Sequence, residues 1–274
     1  MVNTEKPAKS AAMLTQSVTR ALAILSCFSD EEPELRVADF CRKLDLTQSN
    51  VSRLLSTMVS IGYVKKEESS GYYRLGTEIV SLGGIALNNY EIRKQSLPEM
   101  HEMERRLGLD TNLAILDDDT ILYLAHVDSY ESPRMYTFIG RRNPLHCTAI
   151  GKVLLAHMDE TARDRLLGRI EMYAYTDKTV TDQNVLLEQL AACKRRGYAI
   201  ELEELALGRA CLAAPIFDKS GKIAAGISVS GSLSKMNLAG REQELAAALI
   251  ELAGRVSMKM GHVTVHMNRT PHSR

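Results

Sequence analysis

The most chemically pointed stretch of this 274-residue sequence lies between positions 48 and 57. Gln48, Ser49, Asn50, Ser52, Arg53, Ser56 and Thr57 are interleaved with Val51, Leu54, Leu55, Met58 and Val59. The apolar set falls at i, i+3, i+4, i+7 and i+8, which predicts one buried face of a helix and leaves the polar set on the other. Those polar types read base edges and bind phosphates: Asn and Gln match adenine, Arg matches guanine, and Ser or Thr serve either bases or phosphate. A solvated helix face is the bland alternative, but Ser and Asn are mediocre helix formers, so gathering them on one exposed face calls for a reason. Local charge agrees. From 42 to 74, six basic residues (Arg42, Lys43, Arg53, Lys65, Lys66, Arg74) stand against three acids (Asp45, Glu67, Glu68), in a chain whose 34 basic and 34 acidic residues cancel. Lys65 and Lys66 would flank the minor groove or touch phosphates, unless their hairpin is merely solvated.

Catalytic and metal chemistry find weaker footholds. Gly226-Ile227-Ser228-Val229-Ser230 lacks the fifth-position Gly of a nucleophile elbow. Gly151-Lys152-Val153 lacks both the Ser or Thr after Lys and the preceding Gly of a phosphate-binding loop. His146 and Cys147, adjacent on an extended chain, point apart and have no third group to orient them. His262 and His266 are four apart but lack the Glu of a zinc-protease helix. Cys27, Cys41, Cys147, Cys193 and Cys211 are odd in number and form no C-x-x-C pair, which predicts buried reduced thiols rather than disulfides or a zinc site. No catalytic residue, metal or cofactor is expected.

The elements that must position the polar stretch follow from periodicity. The length suggests roughly two domains. Zero net charge excludes a globally cationic coat, and no run approaches the ~18 apolar residues of a membrane span. The apolar run 21–28 follows a long polar start and has no cleavage pattern, so it is no signal peptide, and the expected compartment is the cytoplasm. Residues 1–13 are polar and aperiodic, and a disordered arm is expected there. Over 14–76, Val18, Ala21, Leu22, Leu25 and Phe28 predict a first helix, capped by Thr15 or Ser17. Val37, Phe40, Cys41 and Leu44 predict a second helix, and Thr47 offers a cap oxygen to the third, which Gly62 ends. Short strands at 63–67 and 72–75 flank Ser69-Ser70-Gly71. Helix, helix, tight turn, helix and hairpin is the order of a winged helix-turn-helix. Residues 77–91 predict a linker helix despite Gly83 and Gly84. From 92 to 261, strands at 112–116, 121–127, 134–139, 199–203, 211–217 and 223–230 mix with helices at 95–107, 149–157, 161–167, 184–196 and 240–260. Hairpin turns at 117–119 and 218–221 argue for an α+β sheet rather than a doubly wound parallel one. Residues 262–274 read as a flexible tail.

Three separated segments carry a family resemblance. Residues 16–76, GRRNPLHCTAIGKVLLA at 140–156 and RRGYAIELEELALGRACLAAPIFDKSGKIAAGISVSGSLSK at 195–235 resemble, in the correct order, the IclR-type bacterial transcriptional regulators. The stretch RMYTFIGRRNPLHCTAIGKVLLA at 134–156 is similar to the KdgR-like branch, which governs use of sugar acids. The resemblance implies a winged helix-turn-helix joined by a linker helix to a GAF-like effector domain, an antiparallel sheet with flanking helices. It also implies double-stranded operator DNA, a small organic acid (a sugar acid or keto acid) and further copies of the chain, as dimers or tetramers, for partners. Carried over by position, the acid would meet the backbone N–H groups of Ala149, Ile150 and Gly151 at a helix N-terminus. Glu201 would accept ligand hydroxyls, beside Cys211, Ser228 and Ser230; the two serines, two apart on a strand, share a face. Without the resemblance, Cys211 reads as core and Glu201 and Glu203 as the wet face of an edge strand.

Three positions depart from the family pattern. Glu201 replaces a shorter Asp. Arg209 stands where relatives carry an apolar pocket residue, and would pair with a second carboxylate or point to solvent. Asp45 replaces the usual turn glycine, a position it tolerates in the left-handed region. The expected function is a transcription factor whose operator affinity answers to the acid, with the sign of the response open. The alternative is a small-molecule binding enzyme or sensor whose helix-turn-helix serves protein contacts.

Overall fold

The computed structural model describes residues 15–130 and 139–263. They divide into two units, Met1–Ala86 and Leu87–Arg274. In the first, α1 (Gln16–Leu25), α2 (Val37–Leu44) and α3 (Gln48–Ser60) precede a two-stranded wing, β1 (Val64–Lys66) and β2 (Tyr73–Leu75), and α4 (Thr77–Asn88) follows. The three helices close over Ile24, Phe40, Val51 and Leu55, all fully buried. Phe40 meets Phe28 and Tyr73 edge-on, with centroids 5.4 and 6.5 Å away. Asp45 adopts φ +52° and ψ +47°, the left-handed turn that sets α3 against α2. Gly62 ends α3 at φ +81°.

Two local expectations fail here. Thr47 occupies the cap position of α3 but its side chain makes no cap bond; its carbonyl accepts the Val51 N–H at 3.1 Å instead. Val18 and Leu22 are more than half exposed, and the buried side of α1 centres on Ile24 instead.

The second unit is a six-stranded antiparallel sheet in the order β5-β4-β3-β8-β7-β6. Its strands are β3 (Asp110–Asp117), β4 (Thr120–Val127), β5 (Arg142–Pro144), β6 (Ala199–Leu202), β7 (Arg209–Phe217) and β8 (Ile223–Ser232). Alternation along each strand sends the two side-chain sets to different helices. Leu113, Leu212, Ile227 and Val229 pack with Met100 of α5 (Glu91–Leu107) and Leu249 and Leu252 of α10 (Leu238–Lys259). Ala114 and Ala213, of the opposite parity, pack with Ile150 and Leu154 of α6 (Ala149–His157) and Leu190 of α8 (Gln183–Arg196). Between these helices lies α7 (Glu160–Leu167), and α9 (Leu233–Met236) is a single turn before α10.

Helix α6 lies unusually close to its neighbours. A Cβ on Gly226 would meet Ile150 Cγ2 at 2.7 Å, and one on Gly151 would meet the Leu145 carbonyl oxygen at 2.2 Å. The strand expected at 134–139 falls outside the described residues except for Ile139; the strand observed in this region, β5, begins at Arg142 and pairs with β4. Glu203, at φ +58°, turns the chain out of β6 one residue before the expected end. Among the described residues no helix is long and apolar enough to cross a membrane.

Candidate functional site

Helix α3 exposes Gln48, Ser49, Arg53, Ser56 and Thr57 and leaves Asn50 and Ser52 half-buried. Arg53 Nη2 lies 3.5 Å from Asn50 Oδ1, so these two side chains of base-matching type stand together about one turn apart. Thr57 Oγ1 donates to the Arg53 carbonyl at 3.1 Å. On the wing, Lys65 and Lys66 are exposed; Lys66 pairs with Glu68 at 3.1 Å, and that hydrogen bond raises the ammonium pKa. Arg42 pairs with Asp39, Lys43 with Glu32 and Arg74 with Glu34. Exposed pairs of this kind are weak, so these cations remain exchangeable onto a polyanion.

In the second unit a cavity of about 500 Å³ opens over the sheet. Its floor is a row of side chains at matched register: Glu201 opposite Cys211, Cys211 opposite Ser230, and Ser230 opposite Asp110. The neighbouring row places Ser228 opposite Asn112 and Asn112 opposite His126. Asn112 Nδ2 donates to Ser228 Oγ at 3.2 Å and to Ser230 Oγ at 3.3 Å, while its Oδ1 faces His126 Nδ1 at 2.7 Å. His126 Nε2 faces Asp128 Oδ1 at 2.7 Å. Arg141, Arg142 and Asn143 add a wall from β5 and the residue before it, and Arg209 stands at one side.

Burial sets the protonation of the floor. It pushes the Glu201 carboxyl up, against the N–H groups of Leu205 and Glu204, which donate to Oε1 at 3.3 and 2.7 Å. Burial, then the nearby Glu201, pushes the Cys211 thiol up, and burial likewise raises the Tyr123 phenol. The floor is therefore thiol, phenol, hydroxyl and amide, a set suited to hydrogen bonding rather than nucleophilic attack. Cys147 is also no nucleophile, since burial pushes its thiol up to about 12. Beside it, burial holds the His146 imidazole below its ordinary value, and Nε2 lies 3.0 Å from the Tyr173 carbonyl. Among the described residues no cluster of His, Cys, Asp and Glu is placed to hold a metal ion.

The IclR helix-turn-helix domain matches residues 17–68, and the bacterial transcriptional regulator IclR C-terminal domain matches residues 84–258. The chain belongs to the IclR family. It is 36% identical to the KdgR regulator of Escherichia coli K12 over 246 residues, covering 90% of this chain and 93% of that protein. KdgR of Dickeya chrysanthemi is 35% identical, covering 90% and 80%. Among solved structures, IclR of Thermotoga maritima superposes with a TM-score of 0.75 at 26% identity, covering 91% of this chain and all of that one. An IclR homologue of Microbacterium hydrocarbonoxydans complexed with 4-hydroxybenzoate gives a TM-score of 0.78 at 25% identity, covering 89% and 98%. The two KdgR relatives are named as transcriptional regulators, not as enzymes. The IclR-family chain is accordingly a transcriptional regulator with a helix-turn-helix DNA-binding domain and a C-terminal effector domain.

The expected effector residues of this regulator do not all meet in the cavity. Glu201, Cys211 and Ser230 line it; Ser228 lies one row behind, buried and bonded to Asn112. Ala149, Ile150 and Gly151 are buried and not part of the lining. The Gly151 N–H, expected to greet a carboxylate, donates instead to Thr148 Oγ1 at 3.1 Å, which caps the helix from within. Arg209 does not point to solvent: Nη2 pairs with Asp110 Oδ2 at 3.1 Å. Glu203 is not the wet face of a strand; its carboxylate takes the Gly208 N–H at 2.8 Å and pairs with Lys178. The cavity also uses Asn112, Tyr123, Arg141 and Asn143, which sequence reasoning missed. A signal existed for Asn112: with Asp110 it puts two polar residues at strand spacing just ahead of the apolar run 113–116.

Proposed function

We propose that this regulator binds a pseudo-palindromic operator as a dimer or tetramer, and that a small organic acid in the 500 Å³ cavity sets its affinity. The observation that carries the reading is the composition of that cavity: Arg141 and Arg209 beside a floor of hydroxyl, amide and carboxyl groups. Guanidinium groups attract a carboxylate, and the floor pairs with hydroxyl or keto oxygens, as a sugar acid or keto acid requires. The bound 4-hydroxybenzoate of the Microbacterium homologue, also an acid, is consistent with this. On the DNA side, α3 of each copy enters a major groove, with Gln48, Ser49, Asn50, Ser52, Arg53 and Thr57 toward bases and phosphates and Lys65 and Lys66 on the flanking backbone. The exposed apolar pair Val18 and Leu22 on α1 supports contact with a second copy. An effector coupling of ~1–3 kcal/mol would change operator affinity roughly 5- to 150-fold.

Selection of duplexes from a random pool, followed by fluorescence anisotropy from low to high salt, tests the DNA half. Phosphate contact gives a steep negative slope of log affinity against log salt; a flat slope favours protein contacts for the helix-turn-helix. Repeating the measurement with D-gluconate, pyruvate and benzoate tests the effector half. If none of the acids changes operator affinity, that half fails.

A further inference from the structure

Helix α8 carries Gln189, Ala192 and Arg196 at spacings of three and four, one stripe that faces β6 and α6. Between these elements lies a second cavity of about 230 Å³, which shares no lining residue with the larger one. At φ +58° Glu203 turns the chain out of β6, and Glu204 comes to line this space together with Lys152 of α6. Lys152 pairs with Oε1 of the Glu204 carboxylate. The other oxygen, Oε2, is buried without a hydrogen-bond partner, and so is Gln189 Oε1. Glu204 is only 6% exposed, so a bare acceptor there is costly and calls for an occupant that donates to it.

The exposed Arg196 stands at the rim. Its Nε donates to the Tyr198 carbonyl at 2.7 Å, and the guanidinium lies 4.6 Å from the Tyr198 ring centroid, which fixes the plane of the fork. Its Nη nitrogens make no hydrogen bond to a described residue and stand as donors. The lining therefore needs two donated hydrogens inside and offers guanidinium hydrogens at its edge. An anion brings only acceptors and would face the Glu204 and Gln189 oxygens. A cation brings donors, but Lys152 and Glu204 cancel each other and Arg196 repels it. A hydroxyl both donates and accepts, and it answers the Gln189 amide whichever way that amide points. One water needs ~10–15 Å³ of cavity, so the space exceeds what a single bridging water fills. Ala192 and Ile200 give the carbon skeleton of a ligand apolar wall to lie against.

We infer that the cavity between α6, α8 and β6 is a second small-molecule site, separate from the effector cavity, and that it takes a short neutral polyol. One hydroxyl donates to Glu204 Oε2 and another to Gln189 Oε1, while the ligand oxygens accept from Arg196. Through the Glu204 N–H, which donates to Glu201 Oε1 at 2.7 Å, an occupant bears on the floor of the larger cavity. The site stands whether or not that larger cavity holds an acid.

Saturation-transfer-difference NMR of the full chain with meso-erythritol tests the site, with ethylene glycol dimethyl ether, ethylammonium and acetate as comparisons. Erythritol is expected to bind with a Kd of roughly millimolar order, as suits so small a ligand. The diether, whose oxygens cannot donate, should bind at least roughly tenfold more weakly. Gln189→Leu removes one acceptor and should weaken erythritol roughly two- to tenfold. Ala192→Leu fills the cavity with a good helix former and should abolish the signal, and thermal melts check that both variants fold. Erythritol binding that survives Ala192→Leu in full overturns the site, as does diether binding as tight as that of erythritol. No erythritol binding to the wild-type chain leaves the cavity to water alone and also overturns it. Ethylammonium or acetate binding that Ala192→Leu abolishes overturns the polyol assignment. Should Ala192→Leu fail to fold, unchanged erythritol affinity in Gln189→Leu overturns the site by itself.

Discussion

Replacing Lys152 with Met probes the support of the effector cavity. Lys152 lies in α6 and is 1% exposed, and its ammonium pairs with Glu204, whose side chain is 8% exposed. Glu204 follows the left-handed Glu203, and its N–H, with that of Leu205, holds Glu201 Oε1. The pair therefore ties α6 to the turn that fixes a cavity carboxyl. Lys152→Met keeps the volume of the stem but removes the cation, leaving a carboxylate in a buried site where Glu204 Oε2 already makes no hydrogen bond. Breaking a buried pair from one side costs about 3–5 kcal/mol. For a domain of this size class, each kcal/mol moves the midpoint about 2–4 °C, so the effector unit should melt roughly 6–20 °C lower. Lys152→Met/Glu204→Gln, which removes both charges, should regain most of the loss, giving a coupling of at least ~2 kcal/mol in the double-mutant cycle. Urea and thermal unfolding followed by circular dichroism read this directly. A single-variant cost below ~1 kcal/mol, or a double variant no more stable than the single, would refute the reasoning.

Other expectations follow from the same geometry. Arg53→Ala should lose about 1–3 kcal/mol of sequence-specific duplex binding with its melting behaviour unchanged, as read by anisotropy; retained discrimination between selected and scrambled duplexes contradicts the docking of α3. Burial depresses the His146 and His157 imidazoles, so the fold favours their neutral forms. Their contribution to stability is full above the ordinary imidazole value of about 6.5 and is lost as pH falls below it toward the depressed values. Melts at pH 7.5 and 5.5 should show the drop, and His146→Asn/His157→Gln should shrink it. Cys147 and Cys193, pushed up by burial to about 12 and about 11, should resist iodoacetamide at pH 8 and label only in denaturant. Rapid labelling of the folded chain, seen by mass spectrometry, would contradict this.

The DNA-binding unit was readable because its signals are local. Phe40, Val51 and Leu55 sit on the predicted helix stripes and are among the residues found at zero exposure, and Asp45 and Gly62 mark turns that occur where read. Val18 and Leu22 were misjudged because periodicity reports a stripe and not what covers it. The effector cavity was harder, since its wall depends on register between strands more than a hundred residues apart. The row from Glu201 to Asp110 crosses four strands, and within the sequence it shows only through the two-residue spacings of Ser228 with Ser230 and of Asp110 with Asn112. Strand β5 is three residues long and ends in Pro144, too short for alternation to register. At the head of α6 the engaged donor was legible in the sequence: Thr148 is a preferred capping type and takes the Gly151 N–H.

The two tight approaches of α6 have a mechanical meaning. Gly151 abuts Leu145, the residue just past the β5 wall, and Ile150 abuts Gly226 in the middle of the sheet. There is no slack at either point. A side chain at 151 would have to displace the Leu145 backbone, and one at 226 the Ile150 side chain, so the end of β5, the head of α6 and the middle of the sheet are held as one packed block.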